Sequence, residues 1–267
     1  MRLTVGVLPS TVEETKRFSE WLLDIGEGKV GGDNDGVATV EIPSDLLITD
    51  SLDPIESLIQ FVYPSVLERY KDRDYFSERA ILTPKNEVVH EINDRLLELF
   101  PGEQTEYLSS DSICATKKGI DSFQQELYSP DVLNGLKISG LPNHRLVTFL
   151  GKRVIEAEII SGANVGTRTF IPRIRMIPFD KKIPFAFQRR QFPVAVCFAM
   201  TINKSQGQSL SKVGLFLKEP VFTHGQLYVA LSRVKSREGV KMLILDKDGK
   251  PTNTTTNVVY KEVFTHL

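Results

Sequence analysis

Residues 198–245, FAMTINKSQGQSLSKVGLFLKEPVFTHGQLYVALSRVKSREGVKMLIL, set short apolar runs between polar turns and one helical stripe. An apolar strand running from Phe192 to Met200 leads into a polar turn that contains Gly207. Val213 to Leu217 is a second strand, Phe222 to about Val234 a helix, and Val240 to Leu245 a third strand. Strands alternating with helices at this spacing argue for an open, mostly parallel α/β sheet.

The same texture begins at Arg79. RAILT, residues 79–83, is a short apolar strand, and Pro84 sits where a first helical turn tolerates it. The following helix places Val88, Val89, Ile92, Leu96, Leu97 and Phe100 on one face and stops at Pro101-Gly102. Upstream, Val12, Phe18, Trp21, Leu22 and Ile25 recur at helical spacing over residues 11–25. Val37 to Ile42 reads as a strand and residues 54–70 as a second helix. A last helix is expected at the C-terminus. Between the two α/β parts, VIEAEII and RTFIPRIRMI are short, alternating or apolar, and bounded by turns, as in a small β-barrel inserted between them. The expected division is 1–78, then 79–120 with 192–267, and an insertion over 121–191.

Composition narrows the classes. The 267 residues are 41% hydrophobic and 25% charged, which is ordinary globular chemistry. No run approaches the eighteen or so apolar residues of a membrane span, and the first residues lack the shape of a signal peptide, so a soluble intracellular protein without a membrane partner is expected. Cys114 and Cys197 lie far apart and the four histidines are scattered, so no disulfide framework or metal set is readable. Asp33, Asp35 and Gly36 suggest a calcium loop, but Gly31 stands where its first carboxylate is needed.

The net charge of −1 conceals an asymmetry: 7 basic face 16 acidic residues up to Glu78, and 26 basic face 18 acidic residues after it. Between Arg168 and Arg190, seven cations (Arg168, Arg173, Arg175, Lys181, Lys182, Arg189, Arg190) face one acid, Asp180. Phe170, Phe179, Phe185 and Phe187 lie among them. Cations for phosphates and rings for bases suit single-stranded nucleic acid, while a strand pair with a solvated outer face has the same composition.

Two segments carry candidate chemistry. In AMTINKSQGQSL, residues 199–210, Thr201, Asn203, Lys204, Ser205, Gln206 and Gln208 offer donors and acceptors beyond a strand's carboxyl end, where parallel sheets bind ligands. A polar turn without function would look alike. In GQLYVALSRVKSREG, Gln226 and Arg233 are seven apart on one helical face, beside an apolar stripe of Leu227, Leu231 and Val234. A held guanidinium of this kind is the form of an arginine finger; an arginine snorkelling from a helix end or pairing with Glu238 is the alternative.

In order, LTPKNEVVHEIN, FAMTINKSQGQSL and HGQLYVALSRVKS resemble the C-terminal motor half of the Pif-type DNA helicases, superfamily I enzymes that move 5′ to 3′ on single strands. IPSDLLI, LPNH, FIPRIRMIP and GKPTNTTTNVVYKEVF extend the similarity, especially to the transposon-related eukaryotic branch. The resemblance implies a second RecA-like motor domain of the P-loop NTPase type with an inserted small β-barrel, preceded by the tail of a first motor domain. It implies single-stranded DNA, ATP and Mg2+ as partners and cofactors, and an intracellular, most often nuclear, place of work. By the same resemblance, Thr83, Lys85, Asn86, Thr201, Asn203, Lys204 and Ser205 contact DNA. Arg173 and Arg175 join them from the basic stretch. Gln206, Gly207, Gln226 and Tyr228 lie toward ATP, and Arg233 is the catalytic arginine finger.

The chain departs from the family in two places. A motor needs a GxxxxGK[ST] loop whose amides, lysine and hydroxyl converge on the triphosphate and its magnesium. The three Gly-Lys pairs here, at Gly28, Gly151 and Gly249, do not form one. That loop and the magnesium-holding acids are expected in a first motor domain lying before residue 1, so the chain by itself is expected to be inactive. A non-enzymatic DNA-binding remnant of a transposon-derived helicase is the alternative. Second, the strand and turn that open the family's barrel are missing after LPNHR, around residues 146–151, which bears on its closure.

Overall fold

The structure, a computed structural model, describes residues 9–32, 35–49, 51–70, 72–101, 105–113, 128–136, 138, 140–148, 154–159, 164–178, 185, 187–260 and 262. The chain forms two compact units, residues 1–100 with 197–267, and residues 101–196. The larger unit starts with helix α1 (Pro9–Gly26), strand β1 (Val37–Glu41), helices α2 (Pro54–Val62), α3 (Val66–Arg69) and α4 (Arg73–Ser77), strand β2 (Arg79–Thr83) and helix α5 (Asn86–Leu99). The smaller unit follows with β3 (Thr105–Leu108), β4 (Ser110–Ile113), α6 (Pro130–Asn134), β5 (Arg145–Thr148), β6 (Ile155–Glu158), β7 (Arg168–Ile171), β8 (Ile174–Met176) and β9 (Phe187–Gln191). The larger unit resumes with β10 (Ala199–Thr201), a 3-10 turn at Ile202–Ser205, β11 (Lys212–Leu217), α7 (Gln226–Leu231), β12 (Val240–Ile244) and β13 (Thr254–Val258).

The heart of the larger unit is a parallel sheet in the order β10-β2-β11-β12. Its strands read as continuous apolar runs because helices cover both faces. Successive side chains alternate between those faces. Ala80, Leu82, Val213, Leu215, Leu217 and Met242 join α1 (Phe18, Leu22, Ile25) and α7 (Leu227, Leu231) in one core. Ile81, Phe216 and Leu243 join α2 (Leu58, Ile59, Val62) and α5 (Val88, Val89, Ile92, Leu96) in the other. Each such side chain, once fully buried, contributes roughly 1.5–3 kcal/mol. Gly214 interrupts the apolar run of β11 for a steric reason: a Cβ there would stand 2.7 Å from Val62 Cγ2, so its absence lets α2 approach the sheet.

Several boundaries differ from the sequence reading. The expected helix over 54–70 is two helices, because Pro64 disfavours helical backbone at Tyr63 and Ser65 turns left-handed at φ 54°. At the start of α2, Asp53 caps the helix by accepting the Glu56 N–H at 3.0 Å, with Pro54 in the first turn. The expected strand over 192–200 shrinks to Ala199–Thr201. Pro193 removes a ladder donor, and Phe192 is buried with Tyr107, Leu146 and Ile155 in the smaller unit. The helix expected over 222–234 is only Gln226–Leu231, entered through Gly225 at φ 68°. In place of a C-terminal helix, the threonine-rich β13 pairs antiparallel with β1, Val37 opposite Val258 and Glu41 opposite Thr254; residues 263–267 lie outside the described residues.

The smaller unit starts at Pro101 and runs to Val196, wider than the expected insertion over 121–191, because β3 pairs with β5 and β4 with β9. Its described strands form three antiparallel sheets, β3-β5, β4-β9-β8 and β6-β7. Inside it, Arg189 and Asp111 form a fully buried, bidentate ion pair with N–O distances of 2.7 to 3.1 Å. The same guanidinium donates to the carbonyls of Pro142 at 3.0 Å and Leu133 at 3.2 Å.

Candidate functional site

The carboxyl ends of β10, β2 and β11 lie side by side, with Thr201 opposite Thr83 in register. β10 is an edge strand only three residues long, and two side chains hold it. Asn93, on α5, accepts the Ala199 N–H at 2.8 Å and donates to the Ala199 carbonyl at 3.2 Å, taking the place of a neighbouring strand. The Tyr63 hydroxyl donates to the Phe198 carbonyl at 2.5 Å, and burial pushes that phenol far above its usual pKa. Asn93 was missed in the sequence; the signal available was an asparagine beside Ile92 on the helix's apolar face.

Past β10 the chain turns through Ile202–Ser205. Ser205 is buried and closes the turn by donating to the Ile202 carbonyl at 2.7 Å. Thr201 is buried, and Thr83 is fully buried with no hydrogen-bond partner for its hydroxyl. Asn203, Lys204, Gln206 and Gly207 are exposed, as is Asn86 at the start of α5. The side chains able to meet an external ligand here are therefore Asn86, Lys85, Asn203 and Lys204, with the two threonines and Ser205 as internal structure. Lys85 is ion-paired to Glu219, and Lys218 to Glu91 at 2.9 Å. Lys218 and Glu219 were not singled out, although the rule that selects the turn after one parallel strand applies equally to the loop after β11.

Gln226 and Arg233 are placed by the same polar segment. Gln226 is buried, its amide oxygen accepts the Phe222 N–H at 3.1 Å, and its NH2 group reaches Asn203 Oδ1 at 3.5 Å. Arg233 lies two residues past the end of α7, so the two do not share one continuous helical face. Its Nε–H donates to the Val229 carbonyl at 2.9 Å, Nη1 to the Gln208 carbonyl at 3.2 Å and Nη2 to Ser232 Oγ at 2.8 Å. Glu238 is not its partner. Three of the five guanidinium N–H donors are engaged, leaving two for a ligand. Tyr228 instead packs against α1, where a Cβ on Gly26 would stand 2.9 Å from its ring.

In the smaller unit the basic stretch divides. Arg189 is buried by Asp111 and Phe187 is in the core, so neither can meet a nucleic acid. Arg173 donates to the Leu108 carbonyl at 2.9 Å and lies over the Phe192 ring. Arg175 is exposed on β8, and Phe170 is 69% exposed on β7. Phe179, Asp180, Lys181 and Lys182 lie outside the described residues.

An all-parallel sheet with helices on both faces and polar turns at its carboxyl edge defines an α/β fold of the RecA-like kind. No protein-family model matches the chain. The ATP-dependent DNA helicase PIF1 of Candida albicans is 40% identical over 78 residues, 29% of this chain and 8% of the relative. PIF1 of Saccharomyces cerevisiae is 37% identical over 99 residues, 36% and 11% respectively. The crystal structure of the Candida albicans Pif1 helicase superposes with a TM-score of 0.52 at 18% identity, covering 94% of this chain and 57% of that one. Over part of its length, this chain is related to the Pif1-type DNA helicases, and its matched segments are a small fraction of those curated relatives.

Proposed function

We propose that the chain is the second-motor portion of an ATP-dependent 5′ to 3′ DNA helicase, with residues 101–196 as the family's inserted barrel. It supplies strand contacts from Asn86, Lys85, Asn203 and Lys204, and an arginine finger in Arg233. Nuclear DNA is the substrate that fits this reading. The observation that carries it is the hold on Arg233: three hydrogen bonds fix its guanidinium beside the polar segment that follows β10, and two donors stay free. A phosphate losing its bond would take those two donors.

An arginine finger contributes roughly 10³ to 10⁵ in rate, but only to a triphosphate bound by other groups. Among the described residues no group of three or more His, Cys, Asp or Glu side chains could hold a metal ion. The residues described here therefore do not fit Mg2+, and the GxxxxGK[ST] loop is assigned to a first motor domain. ATPase assays of the purified chain, with and without single-stranded DNA, test this together with DNA titrations over a salt series. No turnover with salt-sensitive binding is expected. Turnover by this chain, or binding indifferent to salt, overturns the reading.

A further inference from the structure

The carboxyl edge of the parallel sheet carries three lysines, and two of them are occupied by carboxylates from neighbouring elements. Lys85, in the turn between β2 and α5, pairs with Glu219 in the loop after β11. Lys218, in that loop, pairs with Glu91 on α5 at 2.9 Å. The pairs cross, each joining the α5 side to the β11 loop. Lys204, in the turn after β10, has no carboxylate partner among the described residues. All four paired side chains are 41% to 55% exposed, and exposed pairs of this kind are weak enough to be exchanged.

We propose that Glu219 is a phosphate mimic that occupies Lys85 in the free protein, so that a DNA strand reaches this edge by exchanging its phosphate for the Glu219 carboxylate; Glu91 does the same at Lys218. The inference rests on the reading of this edge as the strand-binding side. Its chemistry is a plain exchange of anions on an ammonium group. A carboxylate and a phosphodiester oxygen compete for the same N–H donors, and the carboxylate adds like-charge repulsion toward the incoming backbone. The occupied lysines hold down indiscriminate binding of anions, while Lys204 stays open as the first point of attachment.

The test compares wild type, Glu219→Gln, Lys85→Ala and the double variant by anisotropy with a labelled oligothymidylate over a salt series. Glu219→Gln is expected to bind about two- to five-fold tighter, the exchange of one weak surface pair. Its plot of log affinity against log salt is expected to steepen by about 0.7, one additional phosphate neutralised on a single strand. In the Lys85→Ala background the Glu219→Gln gain should vanish. If Lys85→Ala weakens binding but Glu219→Gln leaves affinity and slope unchanged, the exchange is overturned and the strand-binding reading survives. If Lys85→Ala also binds as wild type, the strand-binding reading itself fails at this edge. Unfolding curves of both variants should match wild type, since neither side chain is buried.

Discussion

Truncating Arg189 offers a demanding test of the smaller unit, because it separates a structural arginine from its ligand-facing neighbours. Its guanidinium meets both Asp111 oxygens and two backbone carbonyls, and neither partner of the ion pair is exposed to solvent. Arg189→Met leaves Asp111 buried without a counter-charge, and breaking a buried pair in this way costs about 3–5 kcal/mol. The chain's one tryptophan, Trp21, is in α1 of the larger unit, so its fluorescence does not report on β4 and β9. Native-state hydrogen exchange of the β4 and β9 amides does, and that loss corresponds to exchange roughly 10² to 10³·⁷ times faster when exchange follows the open population. The double variant Arg189→Met with Asp111→Leu should recover much of the protection, since an apolar pair satisfies a buried site without unpaired charge. An acceleration below about tenfold in the single variant, or strictly additive effects in the double, would refute the reasoning.

Arg175→Ala is expected to reduce the salt slope of single-strand binding by about 0.7 without altering stability, because Arg175 is exposed; an unchanged slope removes it from the interface. Asn93→Leu should cost about 1–3 kcal/mol for each Ala199 backbone group left unpaired, and urea denaturation followed by Trp21 fluorescence measures it; a neutral result means the backbone finds other partners. Hydrogen bonds from Arg237, ahead of its charge, hold the Asp45 carboxyl below its usual range. A depressed folded pKa contributes stability that is complete above the unfolded value, about pH 4, and is lost as pH falls through the folded value. Asp45→Asn should therefore make the acid limb of the stability profile shallower, and an identical limb would exclude the pair as a contributor.

The central strands were legible because burial on both faces leaves a continuous apolar run, as in Ala80–Leu82 and Val213–Leu217. β13 was not legible. TTTNV is polar, and it becomes a strand only by pairing with β1, some two hundred residues earlier in the chain, so no local pattern reveals it. Helix α7 was read too long because its apolar stripe continues through Val234, whereas Ser232 and Arg233 already turn to bring Leu210 beside Val234. The basic stretch failed for a different reason. Charge was counted along the chain without regard to strand parity, yet Phe187, Arg189 and Gln191 share one face of β9 and are all buried, while Arg190 is exposed. Period-two alternation already places Arg189 with Phe187, and that was the signal available.

For the candidate site, the sequence marks which residues are polar but not which are held. The segment from Thr201 to Gln208 meets α7 at both ends: Asn203 reaches Gln226 at its start, and the Gln208 carbonyl accepts from Arg233 just past its finish. A displacement of this one segment by a bound strand would therefore be felt at the guanidinium, through a backbone carbonyl that no side-chain substitution at position 208 removes. Substituting Gln208 should leave Arg233 in place. Ser232→Ala removes the Nη2 acceptor and should loosen it, so of the two, Ser232→Ala is the variant expected to alter hydrolysis once a first motor domain supplies the nucleotide. If Gln208→Ala impairs hydrolysis and Ser232→Ala does not, then the side chain at 208 acts directly, and the backbone hold described here does not govern the finger.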